Sequence, residues 1–206
     1  MSTRSALARQ LGVVAGFDDP DASLEQYPTP PGLAAYLVHV ADLRGDIDGR
    51  TVVDLGTGTG MLALGAALRS PERVVGVDLD WGPLRTARTN ERRVAASADI
   101  EWVQGDATRP PLAVDDATVV MNPPFGAQRG NEHADRAFLE TAADIAAVSY
   151  SLHNEGSKEF VESFAADNGG EVTDAFRAEL DIDRQFDFHD RDRASIDAEL
   201  FRIDWA

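Results

Sequence analysis

The run Asn122-Pro123-Pro124-Phe125 combines residue types that suit recognition of a planar amine, and it follows an apolar run, 118–121, that predicts a buried strand. Each proline fixes its own φ, lacks an N–H and biases the preceding residue towards extended geometry. The Asn122 side chain and the Pro123 carbonyl would therefore offer two oxygens to an –NH2 group, and the Phe125 ring would stack on its plane. An ordinary strand-ending turn is the alternative that the run alone leaves open.

A second run predicts a loop that binds a nucleoside cofactor. Gly56, Gly58 and Gly60 alternate between an apolar strand and a helix of small residues, and glycines let the backbone approach a ligand closely. Asp78 ends the next predicted strand about 20 residues later, the spacing of acidic residues that meet ribose hydroxyls. A phosphate-binding loop is the alternative. No Gly-Lys-Ser/Thr follows, however, and Asp54 before the loop suits the cationic end of S-adenosylmethionine better than a pyrophosphate.

Two further residues fall where open α/β sheets bind ligands, at the carboxyl ends of strands. Leu79 follows Asp78 directly, and Asp106 follows the third predicted strand. The Asp106 carboxylate could accept a hydrogen bond from the amino group of the cofactor's adenine. These positions extend the predicted cofactor site across three strands.

The composition indicates a globular protein with an acidic surface. The chain has 206 residues, 43% of them hydrophobic, and it contains no cysteine, which excludes a disulfide or a cysteine-based zinc site. No predicted membrane span or signal peptide is visible, so we expect a soluble, cytoplasmic protein. The formal net charge is −17 and Lys158 is the only lysine, a composition typical of halophilic proteins. Concentrated salt would screen repulsion from nucleic acid, so the charge does not exclude an RNA substrate.

Hydrophobic periodicity and turn residues predict strands that first alternate with helices and then end in a strand pair. The predicted strands are 51–55, 73–77, 100–104, 118–121, 148–153, 172–182 and 196–205. The predicted helices are a short one within 2–16, then 31–43, 61–68, 82–93, 135–147 and one around 160–167. We expect a Rossmann-like α/β fold with a seven-stranded, mostly parallel sheet and an antiparallel C-terminal strand.

The same pattern predicts a single domain over 1–206. Residues 1–45 would form a helical and extended segment that covers the cofactor site, and 46–206 would form the core.

The Asn-Pro-Pro-Phe corner resembles the signature of S-adenosylmethionine-dependent amino methyltransferases, which act on adenine N6, cytosine N4 or glutamine amide nitrogen. The whole chain is similar to the rRNA adenine-N6 methyltransferases that include the eukaryotic enzyme for small-subunit rRNA. The segments that carry this resemblance are 24–29 (LEQYPT), 54–60 (DLGTGTG), 76–80 (GVDLD), 104–106 (QGD), 122–126 (NPPFG), 150–153 (YSLH) and 188–189 (FH). The LEQYPT and YSLH segments are more specific than the glycine loop or the corner.

The resemblance implies roles for two sets of residues. The set expected to bind S-adenosyl-L-methionine is Gln26, Thr29, Asp54, Gly56, Gly58, Asp78, Leu79, Asp106 and Asn122. The set expected to hold the target adenine and support transfer is Asn122, Pro123, Pro124 and Phe125. The first set would place Gln26 and Thr29 over the methionine end, with Asp78 at the ribose. No metal is implied.

The resemblance also implies two partners, ribosomal RNA and a small zinc-binding activator protein that docks by strand addition at an exposed sheet edge. The third strand, with Ile100, Trp102 and Val103, is the candidate edge. Arg129 in a polar loop and Phe188 and His189 in the last hairpin are candidate RNA contacts. The hairpin continues as Asp190-Arg191-Asp192-Arg193 where the eukaryotic member is lysine-rich, so the contact could shift to Arg191 and Arg193.

The sequence leaves four alternative interpretations open, one for a group of arginines and three for the function. The arginines around 85–93 could be a solvated face or an RNA-facing patch. The corner would also suit a glutamine-amide methyltransferase of a translation release factor, although the N-terminal segment typical of those enzymes is absent. A DNA adenine methyltransferase would need a separate recognition domain. An assembly factor that only binds the cofactor would not need the corner.

Overall fold

The computed structural model describes residues 3–21, 24–96, 98–124, 134–183 and 193–205, and it describes side chains there apart from 178–183 and 193–197. The helices are α1 (Arg4–Leu11), α2 (Pro31–Arg44), α3 (Met61–Ala67), α4 (Trp81–Val94), α5 (Ala134–Ile145) and α6 (Lys158–Asp167). The strands are β1 (Thr51–Leu55), β2 (Arg73–Asp78), β3 (Ile100–Gln104), β4 (Ala117–Met121), β5 (Ala146–Asn154), β6 (Glu171–Asp183) and β7 (Arg193–Asp204).

The strands form one seven-stranded sheet in the order β3-β2-β1-β4-β5-β7-β6. The pairs from β3 across to β5 are parallel, whereas β7 runs antiparallel to both of its neighbours. The order reverses between β1 and β4, which creates the crevice at which sheets of this kind bind ligands. The predicted fold class is confirmed, and the third strand lies at an edge of the sheet as expected.

Two apolar clusters cover the two faces of the sheet. One cluster contains buried side chains of α1, α2 and α3, such as Leu7, Leu37 and Leu64. The other contains side chains of α5 and α6, such as Phe138 and Phe164. Burial on both faces explains why β1 and β4 read as continuous apolar runs instead of alternating ones.

Several predicted helix and strand limits differ from the structure, most clearly at the first helix and around Ala146. The first helix covers only Arg4–Leu11, because the Thr3 hydroxyl caps its start and Gly12 closes its last turn. The helix predicted over 135–147 ends at Ile145, since Ala146 already pairs with Ala117 in the sheet. The strand predicted over 148–153 is therefore longer, Ala146–Asn154. Tertiary pairing overrides the local helical pattern at this junction.

The N-terminal segment is held on the core by Asn90 of α4, which is fully buried. The Asn90 Nδ2 group donates to the carbonyl oxygens of Ala15 (2.9 Å) and Thr59 (3.0 Å), and its Oδ1 accepts from the Ala15 N–H (2.9 Å). One amide therefore links the segment after α1 to the glycine loop. This contact places the N-terminal segment over the carboxyl end of the sheet.

Asp46, between α2 and β1, joins distant parts of the sheet. Its carboxylate accepts hydrogen bonds from the Tyr150 hydroxyl of β5 and from the Arg202 Nε of β7 (2.9 Å), and its carbonyl oxygen accepts from the Thr118 hydroxyl of β4. Burial and the neighbouring Asp46 carboxylate raise the pKa of Tyr150, so the phenol stays protonated and donates. One acidic residue therefore holds three strands in place.

We predict that Asp46→Ala lowers the free energy of unfolding by about 1–3 kcal/mol, because Tyr150 and Arg202 would keep buried donors without their acceptor. Urea unfolding followed by circular dichroism measures the change. Asp48→Ala removes an exposed carboxylate two residues away and serves as the control, with little expected effect. Equal loss in both variants would show that Asp46 acts only through surface charge.

Candidate active site

A cavity of about 270 Å³ opens at the carboxyl ends of β1, β2 and β4. The residues predicted to bind cofactor or substrate that line it are Gln26, Thr29, Asp54, Gly56, Gly58, Asp78, Leu79, Asp106, Asn122 and Pro124. Pro123 is buried beside the cavity but does not line it. Phe125, Arg129, Phe188, His189 and Arg191 lie outside the described residues. The structure thus gathers residues from five separate sequence segments into one site.

The glycine loop needs the conformations that glycine allows. Gly56, Gly58 and Gly60 have φ values of 69°, 54° and 91°, in the left-handed region that other residues rarely adopt. A Cβ on Gly56 would lie 3.0 Å from the Phe138 ring, and one on Gly58 would lie 2.9 Å from the Phe17 ring. The absent side chains therefore make room for the protein's own aromatic rings as well as for a ligand.

Phe17 and Phe138 are site residues that sequence reasoning missed. Both line the cavity, and each packs on a loop glycine from a different part of the chain. The alternating glycines predicted a close approach to the loop, but no sequence signal indicates which side chains make that approach.

Asp54 is buried beneath the loop, with 1% of its surface exposed. Its Oδ2 accepts hydrogen bonds from the Thr57 hydroxyl (2.6 Å) and the Ala63 N–H (2.9 Å). Burial raises the pKa of Asp54 to about 7, partly opposed by these two hydrogen bonds. The carboxyl group is therefore poised to gain a negative charge when a cation arrives.

Asp78 organises the other side of the loop. Its Oδ2 accepts from the Gly58 N–H (2.7 Å) and its Oδ1 accepts from the Asp80 N–H (2.9 Å). Burial raises its pKa, while these two backbone hydrogen bonds oppose the rise. Each carboxylate oxygen keeps a further lone pair, so Asp78 can also accept hydrogen bonds from a ligand diol.

Asp106 lies at the exposed end of the cavity, after β3. Its Oδ1 accepts from the Thr108 N–H (2.9 Å) and the Thr108 hydroxyl (2.8 Å). These two hydrogen bonds fix the orientation of the carboxylate and leave its other oxygen as an acceptor. An amino group on a planar ring suits this position.

The N-terminal segment closes one side of the cavity through two polar contacts. Gln26 donates from Nε2 to Asp80 Oδ2 (3.3 Å), next to the end of β2. Thr29 accepts a hydrogen bond at Oγ1 from Asn122 Nδ2 (3.0 Å). The Gln26–Thr29 stretch therefore spans the cavity from the end of β2 to the end of β4.

The Asn122 contact with Thr29 has a direct consequence for chemistry. With Nδ2 engaged, Asn122 Oδ1 remains as a buried acceptor, and it has no hydrogen-bond partner among the residues that the structure describes. A buried polar atom without a partner costs stability, so its retention in this cavity indicates a role in binding a donor.

The charges around the cavity select its ligand. The lining carboxylates are Glu25, Asp54, Asp78 and Asp106, and no lysine or arginine lines the cavity among the described residues. This set suits a ligand that combines a cationic end with hydroxyl and amino groups, and it would repel a phosphate. S-adenosyl-L-methionine has these features, so the residues present fit it.

The described part of the chain contains neither a metal-binding cluster nor a membrane-spanning helix. No cluster of histidine, aspartate or glutamate there could hold a metal ion. No helix there has the length and apolar character needed to cross a bilayer.

Comparison with known proteins agrees with this geometry. The family model described as the methyltransferase small domain matches residues 34–162. The rRNA N(6)-adenosine-methyltransferase Mettl5 of Drosophila melanogaster is 32% identical over 205 residues, covering 96% of this chain and 94% of that protein. The protein of the same name in Danio rerio is 32% identical over 197 residues, covering 94% of each chain.

A solved structure extends the similarity to the whole fold. The crystal structure of PH1948 from Pyrococcus horikoshii has a TM-score of 0.87 and 35% sequence identity, and the match covers 99% of this chain and 98% of that one. With the glycine loop, Asn122 and Pro124 lining one cavity, these matches identify an enzyme. The chain belongs to the methyltransferase small domain family, and within it to the group of methyltransferases that contains Mettl5.

Proposed function

We propose that this enzyme transfers a methyl group from S-adenosyl-L-methionine to N6 of an adenine in ribosomal RNA, in the small subunit. The observation that carries the proposal is the buried Asn122 Oδ1, which has no partner among the described residues and is positioned by Thr29 at the cavity wall. The relatives that match almost the full length of the chain support the substrate class.

Different residues of the cavity would bind different parts of the cofactor. Asp54 and the glycine loop would hold the methionine end beneath the Gln26–Thr29 stretch, Asp78 the ribose hydroxyls, and Asp106 the adenine amino group. S-adenosyl-L-methionine supplies an activated methyl group on a sulfonium. The acidic lining complements that positive charge.

The corner residues would act on the amine of the substrate. The lone pair of an adenine amine is delocalised into the ring, which makes it a poor nucleophile. If Asn122 Oδ1 and the Pro123 carbonyl oxygen accept its two N–H protons, they favour a pyramidal nitrogen and stabilise the positive charge that develops there. Alignment of the amine with the donor supplies further acceleration. No strong base is required, because the methylated nitrogen is acidic and can release its proton to water.

An adenine inside a helix cannot place N6 in a buried cavity, so the base must be flipped out or unpaired. The hairpin of β6 and β7 is suitably placed to contact RNA around a flipped-out base. Strand β7 pairs with β5 up to Asn154, yet β6 and β7 continue to pair as far as Asp183 and Arg193. The hairpin therefore projects past the carboxyl end of β5, on the side where the cavity opens. Phe188 and His189, which lie between β6 and β7 in the sequence, remain the candidate RNA contacts.

A glutamine amide would fit the same pair of oxygens, so a release-factor glutamine methyltransferase is the alternative function. The nature of the modified product separates the two proposals.

We predict that rRNA from a strain lacking this enzyme lacks one N6-methyladenosine, and that the Asn122→Ala variant fails to restore it. Loss of the free amide oxygen should lower the methyl-transfer rate by about a hundredfold or more. Nucleoside mass spectrometry with mapping of the small-subunit rRNA measures the modification. Unchanged rRNA together with an unmethylated release factor would instead support the alternative.

Two variants make this test specific to Asn122. Calorimetry should show that Asn122→Ala binds S-adenosylhomocysteine nearly as well as the native enzyme, whereas Asp78→Ala should lose cofactor affinity first. Equal loss of binding and transfer in Asn122→Ala would refute its role at the substrate.

Asp54 predicts a pH dependence of cofactor binding. Its pKa in the free protein is about 7, and an adjacent methionyl ammonium would lower it, so binding releases a proton below pH 7. Affinity for S-adenosylhomocysteine should rise with pH up to about pH 7, with a limiting slope of about tenfold per pH unit, and then level off. Calorimetry from pH 5.5 to 8 measures this slope.

Asp54→Asn is the matched control because the amide oxygen can still accept from Thr57 and Ala63. It should bind more weakly at pH 8 and show no such slope. A slope that survives in this variant would assign the titration to another group.

We also propose that the small zinc-binding activator protein adds a strand at β3. The Val74 N–H donates to Asp99 O (3.2 Å) and the Gly105 N–H donates to Asp78 O (2.9 Å), so alternate residues of this segment face β2. The N–H groups of Ile100, Trp102 and Gln104 then lie along the free edge. The Trp102 side chain packs inward on Gly60 and donates to Glu91, so the exposed backbone must provide the binding.

We predict that Gln104→Pro abolishes co-purification with the activator because it removes an N–H from the free edge. Gln104→Ala is the control: both substitutions remove the hydrogen bond from the Gln104 side chain to Leu79 O, but alanine keeps the N–H. Calorimetry with S-adenosylhomocysteine verifies that the cavity is intact. Equal retention of the activator in both variants would place its docking surface elsewhere.

A further inference from the structure

One face of α4 combines an aromatic residue with a line of arginines. Trp81, Arg85, Arg88 and Arg92 are spaced by four, three and four residues, which places them on one side of the helix. All four are exposed, including 45% of Trp81. The opposite side of α4 carries the buried residues Pro83, Leu84, Ala87 and Asn90. We call the exposed set the Trp81–Arg92 face.

The arginines of this face are not neutralised by the protein. Arg85, Arg88 and Arg92 have no side-chain partner among the described residues, although the chain contains 36 acidic residues and 19 basic ones. Glu91 is the acidic residue of α4, and its carboxylate accepts from Trp102 Nε1 (2.8 Å) instead of pairing with them. Asp18 reaches α4 at Thr86, beside the face, where it accepts a hydrogen bond (3.4 Å).

Ordinary helix energetics do not account for this arrangement. Arginine in the last turn interacts favourably with the helix dipole, which explains Arg92. Arg85 and Arg88 lie in the first eight residues of α4, where an arginine gains no such interaction with the helix dipole. Like charges three or four residues apart also destabilise a helix. An exposed cationic line on a protein of net charge −17 therefore indicates a polyanionic ligand.

The position of the face relative to the cavity decides which polyanion fits. Trp81 directly follows Asp80, whose carboxylate holds Gln26 at the cavity wall. The Trp81–Arg92 face therefore begins beside the rim of the cavity, and it runs about 16 Å along α4 from Trp81 to Arg92. A strand whose adenine enters the cavity could therefore stack a neighbouring base on the Trp81 indole and place successive phosphates against the arginines.

We propose that the Trp81–Arg92 face binds single-stranded RNA next to the target adenine. This inference rests on the proposed function, since it assigns a docking surface to the same substrate. Aromatic stacking accepts any base, and arginine contacts read phosphates without regard to sequence, so the face would contribute affinity and position but no base specificity.

Binding of a labelled single-stranded oligoadenylate at several salt concentrations tests the proposal. Trp81→Ala should weaken binding about fivefold or more. The double variant Arg88→Gln/Arg92→Gln should lower the slope of log affinity against log salt by about 0.7 for each phosphate contact removed. Arg9→Gln/Arg50→Gln removes the same charge from exposed positions elsewhere and should leave both quantities unchanged. Thermal unfolding and S-adenosylhomocysteine affinity should match the native enzyme throughout.

Steady-state kinetics with unmodified rRNA transcribed in vitro separates the outcomes. The Arg88→Gln/Arg92→Gln variant should raise KM for rRNA and leave kcat unchanged. Native affinity, salt slope and KM in that variant would overturn the proposal, and slower methylation of intact subunits alone would then indicate an acidic protein surface as the ligand. If the native enzyme binds oligoadenylate through this face but methylates no rRNA, the docking surface stands and the proposed function fails.

Discussion

The site depends on the two ends of one amide. Asn122 carries a donor and an acceptor, and the hydrogen bond from its Nδ2 to Thr29 Oγ1 leaves its Oδ1 without a partner among the described residues. Because Thr29 belongs to the N-terminal segment and Asn122 follows β4, this hydrogen bond ties the conformation of the Asn122 amide to the position of the N-terminal segment. In the proposed mechanism, one contact would therefore both cover the cofactor and orient the acceptor for the amine.

The glycine loop is organised by contacts from both sides of the sheet. The Asp78 carboxylate holds the Gly58 N–H, and the rings of Phe17 and Phe138 pack where side chains of Gly58 and Gly56 would lie. Phe17 belongs to the N-terminal segment and Phe138 to α5. Movement of either segment would disturb the loop conformation, so the site is assembled from the whole domain.

Net charge and local charge have separate roles in this protein. The carboxylates around the cavity suit a cationic cofactor, and two of them, Asp54 and Asp78, have raised pKa values because they are buried. The overall charge of −17 would repel RNA at low salt, so an RNA substrate requires local cationic surfaces. The exposed arginines of α4 supply such a surface beside the cavity rim, while most other described arginines pair with nearby acids.

The sequence alone predicted the fold class, the edge position of β3 and ten of the residues that line the cavity. These features depend on local patterns: apolar runs, glycines with positive φ, and acidic residues at strand ends. The tertiary structure decided which atoms meet. No pattern predicts that Thr29 occupies the donor end of Asn122, that Asp46 joins Tyr150 to Arg202, or that α4 turns Glu91 inward to Trp102, since each contact joins segments far apart in the chain. Local sequence sets backbone conformation, whereas hydrogen-bond partners depend on how the packed elements bring distant side chains together.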